Sequence, residues 1–143
     1  FANLLRALQT DVPGLAITTD IIVGFPGETE EMFQDSISFV KSLDFARIHV
    51  FPYSSRPGTP AAALPEQVPS IVKKDRTHVM QELADRKALE FRSRQLGGRG
   101  IVLFEQAADG ISHGLTGNYI KVYTRDKVEC GIDGIGTLSV TIT

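Results

Sequence analysis

The residues able to do chemistry gather in two short stretches, 16–28 and 47–60. In the first, Asp20 interrupts the apolar run of Ile17, Ile21, Ile22 and Val23. A carboxylate inside a strand is costly unless it is paired or used. Two roles fit it: an acceptor of hydrogen bonds from a neighbouring loop, or a lumen-facing acid that binds a ligand amine or hydroxyl at the C-terminal mouth of parallel strands. Gly24 and Gly27 bracket the turn that follows, and glycine lets a backbone approach a ligand closely or take a positive φ. In the second stretch Arg47, His49, Phe51 and Tyr53 alternate with Ala46, Ile48 and Val50. On a strand this puts an arginine, an imidazole and two aromatics on one face and the apolar residues on the other. That face is either a polar, stackable wall or, at Arg47 and His49, the solvated entry of the strand. No second ligand stands at helical or hairpin spacing from His49, so no metal site is expected there. Arg56 comes next, either a plain surface-loop arginine or a planar fork for a carboxylate or phosphate.

The elements that must position these residues can be read from periodicity. Residues 1–10 carry Leu4, Leu5 and Leu8 at helical spacing, and Pro13-Gly14 ends that helix. Residues 15–23 are β-branched and almost continuously apolar, as in a covered parallel strand. Thr29, followed by Glu30 and Glu31, predicts a helix start, and Phe33, Ile37 and Val40 give its buried stripe. Residues 46–53 form the next strand, so the order is strand, helix, strand with parallel pairing. Residues 54–69 read as a long ordered loop. A helix then runs from Pro69 to about residue 95, with Val72, Val79, Met80, Leu83 and Ala84 on an apolar face. Lys73, Lys74, Arg76, Arg86 and Lys87 are assigned to its other face. After Gly97-Gly98 the pattern changes to short β-like runs at 101–105, 119–124 and 137–143, the texture of a small antiparallel barrel.

Composition narrows the classes. The chain has 143 residues, 42% of them hydrophobic and 22% charged, which suits a folded domain and not a disordered one. No apolar run is long enough for a bilayer-spanning helix and no signal peptide is visible, so a cytoplasmic location and no membrane partner are expected. The single cysteine, Cys130, excludes an internal disulfide and any local site built from several thiolates, and reads as a small buried hydrophobe. A net charge of −2 does not advertise a nucleic-acid binder, so any RNA contact must come from a local patch. Two parallel strands with their helices leave open sheet edges, and Phe1 is not an initiator methionine; both lead to the expectation of a piece of a longer protein.

Two motifs end this anonymity. Thr18-Thr19-Asp20-Ile21-Ile22-Val23-Gly24-Phe25-Pro26-Gly27-Glu28-Thr29 closely resembles a signature of the radical-SAM methylthiotransferases. Phe51-Pro52-Tyr53-Ser54-Ser55-Arg56-Pro57-Gly58-Thr59-Pro60-Ala61-Ala62 does so too. Val102-Leu103-Phe104-Glu105 and Gly114-Leu115-Thr116-Gly117-Asn118-Tyr119-Ile120-Lys121-Val122 look like that family's TRAM domain, a small RNA-binding β-barrel. The likeness covers essentially the whole chain in the right order.

The resemblance implies an α/β partial radical-SAM (β/α) barrel over residues 1–92, followed by a small all-β TRAM (OB-like) barrel over 93–143. It implies a parent enzyme that adds a methylthio group to C2 of N6-threonylcarbamoyladenosine in tRNA, the substrate class that residues 48–54 and 118–122 resemble most. Other members act on isopentenyladenosine in tRNA or on a ribosomal-protein aspartate, and a stand-alone RNA-binding module is a further alternative. The cofactors implied for the parent are S-adenosylmethionine and two 4Fe-4S clusters. None of the cluster cysteines is in this sequence, so no metal and no activity are expected of the chain alone, and the missing N-terminal part of the polypeptide is an expected partner beside tRNA. Asp20, Gly24 and Arg56 become candidates for cofactor binding. His49, Tyr53, Arg99, Asn118, Tyr119 and Lys121 become candidates for substrate or RNA. Residues 93–143 hold five basic and five acidic side chains, so RNA affinity of this part alone is expected to be weak and salt-sensitive.

Overall fold

A computed structural model describes residues 1–125 and 138–141, and the chain divides into two compact units. The first comprises residues 1–13 and 17–91, the second residues 14–16 and 92–143. Cys130 and the charged residues Asp126, Lys127, Glu129 and Asp133 lie outside the described residues.

In the first unit α1 (Ala2–Asp11) leads to β1 (Thr18–Val23), α2 (Glu30–Lys41), β2 (Arg47–Pro52) and the helix α3 (Ser70–Ser93), whose last two residues belong to the second unit. β1 and β2 pair in parallel with Thr18 opposite Arg47 and Val23 opposite Pro52. The pairing continues past both ends, through Ala46 N–H to Ile17 O at 2.8 Å and Tyr53 N–H to Val23 O at 2.8 Å. α2 starts where its chemistry says it must. The Thr29 hydroxyl accepts from Met32 N–H at 3.2 Å, Glu30 and Glu31 complement the positive end of the helix, and Lys41 sits in the last turn. Its stripe of Phe33, Ile37 and Val40 is buried against Val23, Ile48, Leu43 and Phe45 from the strands and connections and Met80, Leu83 and Ala84 from α3. Fully burying each such side chain contributes roughly 1.5–3 kcal/mol, so this core, and not helix propensity, holds the strand pair. It is a strand–helix–strand layer and not a barrel. The long loop contains a short 3-10 turn, Pro60–Ala63.

α3 departs from the expected division of its faces. Arg76 and Lys87, assigned to the solvated face, are buried, while Val79, assigned to the apolar face, is 43% exposed. Each buried cation has a partner that sequence proximity does not reveal. Lys87 Nζ donates to Lys41 O at 2.9 Å, meeting the carbonyl-rich end of α2, and Arg76 is described below.

The second unit is an open antiparallel sheet among the described residues, of order β5-β4-β3-β6, where a closed barrel was expected. Its strands are β3 (Arg99–Ala108), β4 (Ile111–Thr116), β5 (Lys121–Thr124) and β6 (Leu138–Thr141). β4 was not expected, because Gly110, Gly114 and Gly117 read as turn residues. Gly114 is instead inside the strand: a Cβ there would collide with the carbonyl of Leu103 on β3, next to a bulge between Phe104 and Gln106. Tyr119, expected to open a strand, occupies the turn before β5 with φ of 62°.

Candidate functional site

The parallel pair presents one uncovered face. Register puts Thr18 beside Arg47, Asp20 beside His49 and Ile22 beside Phe51, and all six side chains are exposed. The opposite face, with Ile21, Val23, Ile48 and Val50, packs into the core. The alternation expected from sequence therefore holds. Of the two roles open to Asp20, the bond from a neighbouring loop is not made among the described residues; the carboxylate stands next to His49 on the open face.

At the C-terminal end of these strands the chain turns sharply. Gly24 and Gly27 have φ of 72° and 83°, and a Cβ on Gly24 would collide with the side chain of Lys73. Only glycine combines that conformation with that approach. Gly24 N–H donates to Glu28 Oε2 at 2.6 Å. The same oxygen accepts from Arg76 Nη1 at 2.7 Å, and that nitrogen also donates to Glu28 O at 2.9 Å. Arg76 Nη2 reaches Glu30 Oε2 at 3.3 Å, and the guanidinium lies 5.3 Å over the Phe33 ring. A buried arginine thus ties α3 to the turn after β1. Glu30 is exposed, and its carboxyl is held below its ordinary range by the hydrogen bond from Gln34, with Arg76 adding to the effect.

Beside this turn lies a hollow of about 700 Å³. One wall is Pro52, Tyr53, Ser54 and Ser55; the other is the α3 face of Ser70, Lys73, Lys74, Thr77, His78 and Gln81. Phe25 packs edge-on to Tyr53 with ring centres 5.2 Å apart. Lys73 Nζ donates to Tyr53 O at 3.2 Å and lies 5.7 Å from the ring centre. The Tyr53 hydroxyl is buried without a hydrogen-bond partner.

In the second unit the sheet has one covered and one open face. Val102, Gly114, Thr116 and Val122 are buried, and they alternate with Ile101, Leu103, Leu115, Lys121 and Tyr123. On the open side the His113 and Tyr123 rings are 5.8 Å apart, and Lys121 Nζ lies 5.3 Å from the Tyr123 ring centre. A cation, an imidazole and a phenol on an apolar bed can stack an unpaired base and hold its phosphate. Asn118 sits in the turn between β4 and β5. Its carbonyl accepts from Thr116 Oγ1 at 2.6 Å and its amide donates to Gly14 O at 3.2 Å, pinning a turn.

Tyr53 is thus the one sequence-proposed residue that lines the hollow. Asp20 and His49 stand together on the open strand face, Gly24 is buried in the turn, and Arg56 is an exposed loop residue. Arg99, Tyr119 and Lys121 are exposed in the second unit, with Tyr119 82% accessible. Sequence reasoning missed Glu28 and Arg76, 48 residues apart, for which no local signal exists. It also missed His113 and Tyr123, whose pairing depends on the unrecognised β4. Among the described residues no three histidine, cysteine or acidic side chains gather as a metal site.

An uncovered parallel-strand face, a glycine turn locked by a buried ion pair and, among the described residues of the second unit, an antiparallel sheet are consistent with an α/β domain followed by a TRAM-like domain. The chain belongs to the radical-SAM methylthiotransferase family. It is 43% identical over 127 residues to the threonylcarbamoyladenosine tRNA methylthiotransferase MtaB of Bacillus subtilis, a match covering 85% of this chain and 28% of that protein. It is 40% identical over 129 residues to the tRNA-2-methylthio-N(6)-dimethylallyladenosine synthase of Endomicrobium trichonymphae, covering 90% of this chain and 31% of the relative. A second MtaB, from Thermotoga maritima, is 39% identical over 122 residues, 85% of this chain and 28% of its own. The chain thus spans less than a third of the length of these curated relatives. No family model matches it.

Proposed function

We propose that the chain is the C-terminal part of a tRNA methylthiotransferase that adds a methylthio group to C2 of N6-threonylcarbamoyladenosine. In this reading residues 1–92 complete a radical-SAM barrel and residues 93–143 form its TRAM domain. The observation that carries it is the open strand face, where Asp20 adjoins His49 and Ile22 adjoins Phe51, ending at the Gly24 turn. A charged and aromatic face left uncovered at the mouth of parallel strands suits a polar nucleoside cofactor in a lumen completed by further strands. The Asp20 carboxylate would accept from a ligand amine or hydroxyl, and the buried Gly24 would let the backbone come close. S-adenosylmethionine, when bound with the parent's 4Fe-4S clusters, supplies the radical and methyl chemistry. The one cysteine here cannot hold such a cluster, so its ligands belong elsewhere in the parent and the chain alone should be inactive. The aromatic bed of His113, Tyr123 and Lys121 would grip single-stranded tRNA. Arg99 and Tyr119 are exposed for the same purpose.

The test is mass analysis of tRNA nucleosides from a strain lacking the parent gene. Loss of 2-methylthio-N6-threonylcarbamoyladenosine is the expected result. The 40% identity to a dimethylallyladenosine-modifying relative favours a second reading, which loss of the isopentenyladenosine derivative would establish instead. Unchanged tRNA nucleosides would refute both.

A further inference from the structure

The hollow beside α3 is lined by none of Asp20, Ile22, His49 and Phe51, the strand-face residues on which the proposed reaction rests. Its α3 wall follows the spacing i, i+3, i+4, i+7, i+8, i+11 from Ser70 to Gln81, a single continuous helix face. That face is polar, while the side of α3 bearing Met80, Leu83 and Ala84 enters the core. The ionisable side chains that line it besides Tyr53 are Lys73, Lys74 and His78, and no carboxylate does. Lys73 is engaged by the Tyr53 carbonyl, and His78 Nε2 lies 3.3 Å from Glu82 Oε1. Lys74 is exposed and makes neither contact. The facing wall carries two serine side chains and the surface of Pro52 and Tyr53. A volume of about 700 Å³ lies within the range of small-molecule and cofactor sites.

We propose that this hollow binds a nucleotide, with its phosphate at Lys74 and the hydroxyl-bearing helix face and its nucleoside against the Pro52–Tyr53 wall. The nucleotide is either free or one link of an RNA strand, and only the second source rests on the tRNA function proposed above. The 143-residue chain, labelled with ¹⁵N, should be titrated with adenosine monophosphate and with a short single-stranded RNA while backbone amide shifts are followed. Saturable shifts at Ser54, Ser55, Lys74 and His78 are expected. K74E should weaken that binding about tenfold, the loss of one charge-assisted contact, without disturbing the rest of the spectrum. Shifts with both ligands support a free-nucleotide site, and shifts with RNA alone support the strand as source. RNA shifts confined to His113 and Tyr123, with no mononucleotide shift in the hollow, would overturn the hollow and leave the RNA reading intact. Shifts in the hollow with the mononucleotide and none anywhere with RNA would keep the hollow and count against the RNA reading. No shift there with either ligand, or a K74E protein that binds unchanged, overturns the inference.

Discussion

Replacing Arg76 with methionine should destabilise the first unit far more than an ordinary surface change. The variant keeps most of the aliphatic stem and removes the guanidinium, which lies over Phe33. Arg76 and Glu28 side chains are 7% and 14% exposed, so the pair counts as buried. Losing one partner of a buried pair costs about 3–5 kcal/mol because the other charge is left uncompensated. Here Glu28 keeps the Gly24 N–H bond and a little solvent, which lowers the expected loss to about 2–4 kcal/mol. Glu30, with its side chain 67% exposed, adds little to the pair. For a domain stable by roughly 5–15 kcal/mol this is a large fraction, and with a urea slope of about 2 kcal/mol/M the midpoint should fall by about 1–2 M. Urea denaturation followed by circular dichroism at a helix band isolates the first unit, because the three α-helices lie almost wholly within it. The double variant E28Q/R76M removes both charges and should recover at least half of the loss. An R76M protein within about 1 kcal/mol of the parent, or a double variant worse than the sum of the two single ones, would refute the claim that this pair locks the turn.

Further outcomes follow from the same contacts. G24A combines a φ of 72° with a collision against Lys73 and should cost more than about 1 kcal/mol, read by thermal unfolding. G114A should break the β3–β4 pairing at Phe104, where the new Cβ would meet the Leu103 carbonyl, and amide hydrogen exchange at Leu103 and Leu115 should rise while helix exchange does not. Glu30 has a folded pKa below its unfolded one, so its contribution is complete above the unfolded pKa and is lost as pH falls through the folded value. E30Q should therefore be less stable than the parent at neutrality and equal to it in acid, by urea midpoints at the two pH values. H113A/Y123A should weaken binding of single-stranded RNA by the chain, with base stacking contributing about 1–3 kcal/mol per base, as measured by fluorescence anisotropy.

Local pattern was enough for the elements of the first unit. Thr29, the paired acids after it and the Phe33–Ile37–Val40 stripe determine α2, and alternation along residues 46–53 separates the core face of β2 from its open face. These are short-range effects of capping and side-chain period, so neighbours in sequence suffice. The motifs at 18–29 and 51–62 likewise led to the family without coordinates. Tertiary structure alone decided the rest. Arg76 and Lys87 stand at helical positions that look solvated, and only the approach of Glu28 and the end of α2 makes their burial tolerable. Gly114 looks like a turn until the Leu103 carbonyl is placed against it. The hollow exists because Tyr53 and Lys74 come together across 21 positions of chain. Burial, ion pairing and cavities depend on which distant atoms meet, and one-dimensional spacing carries no record of that.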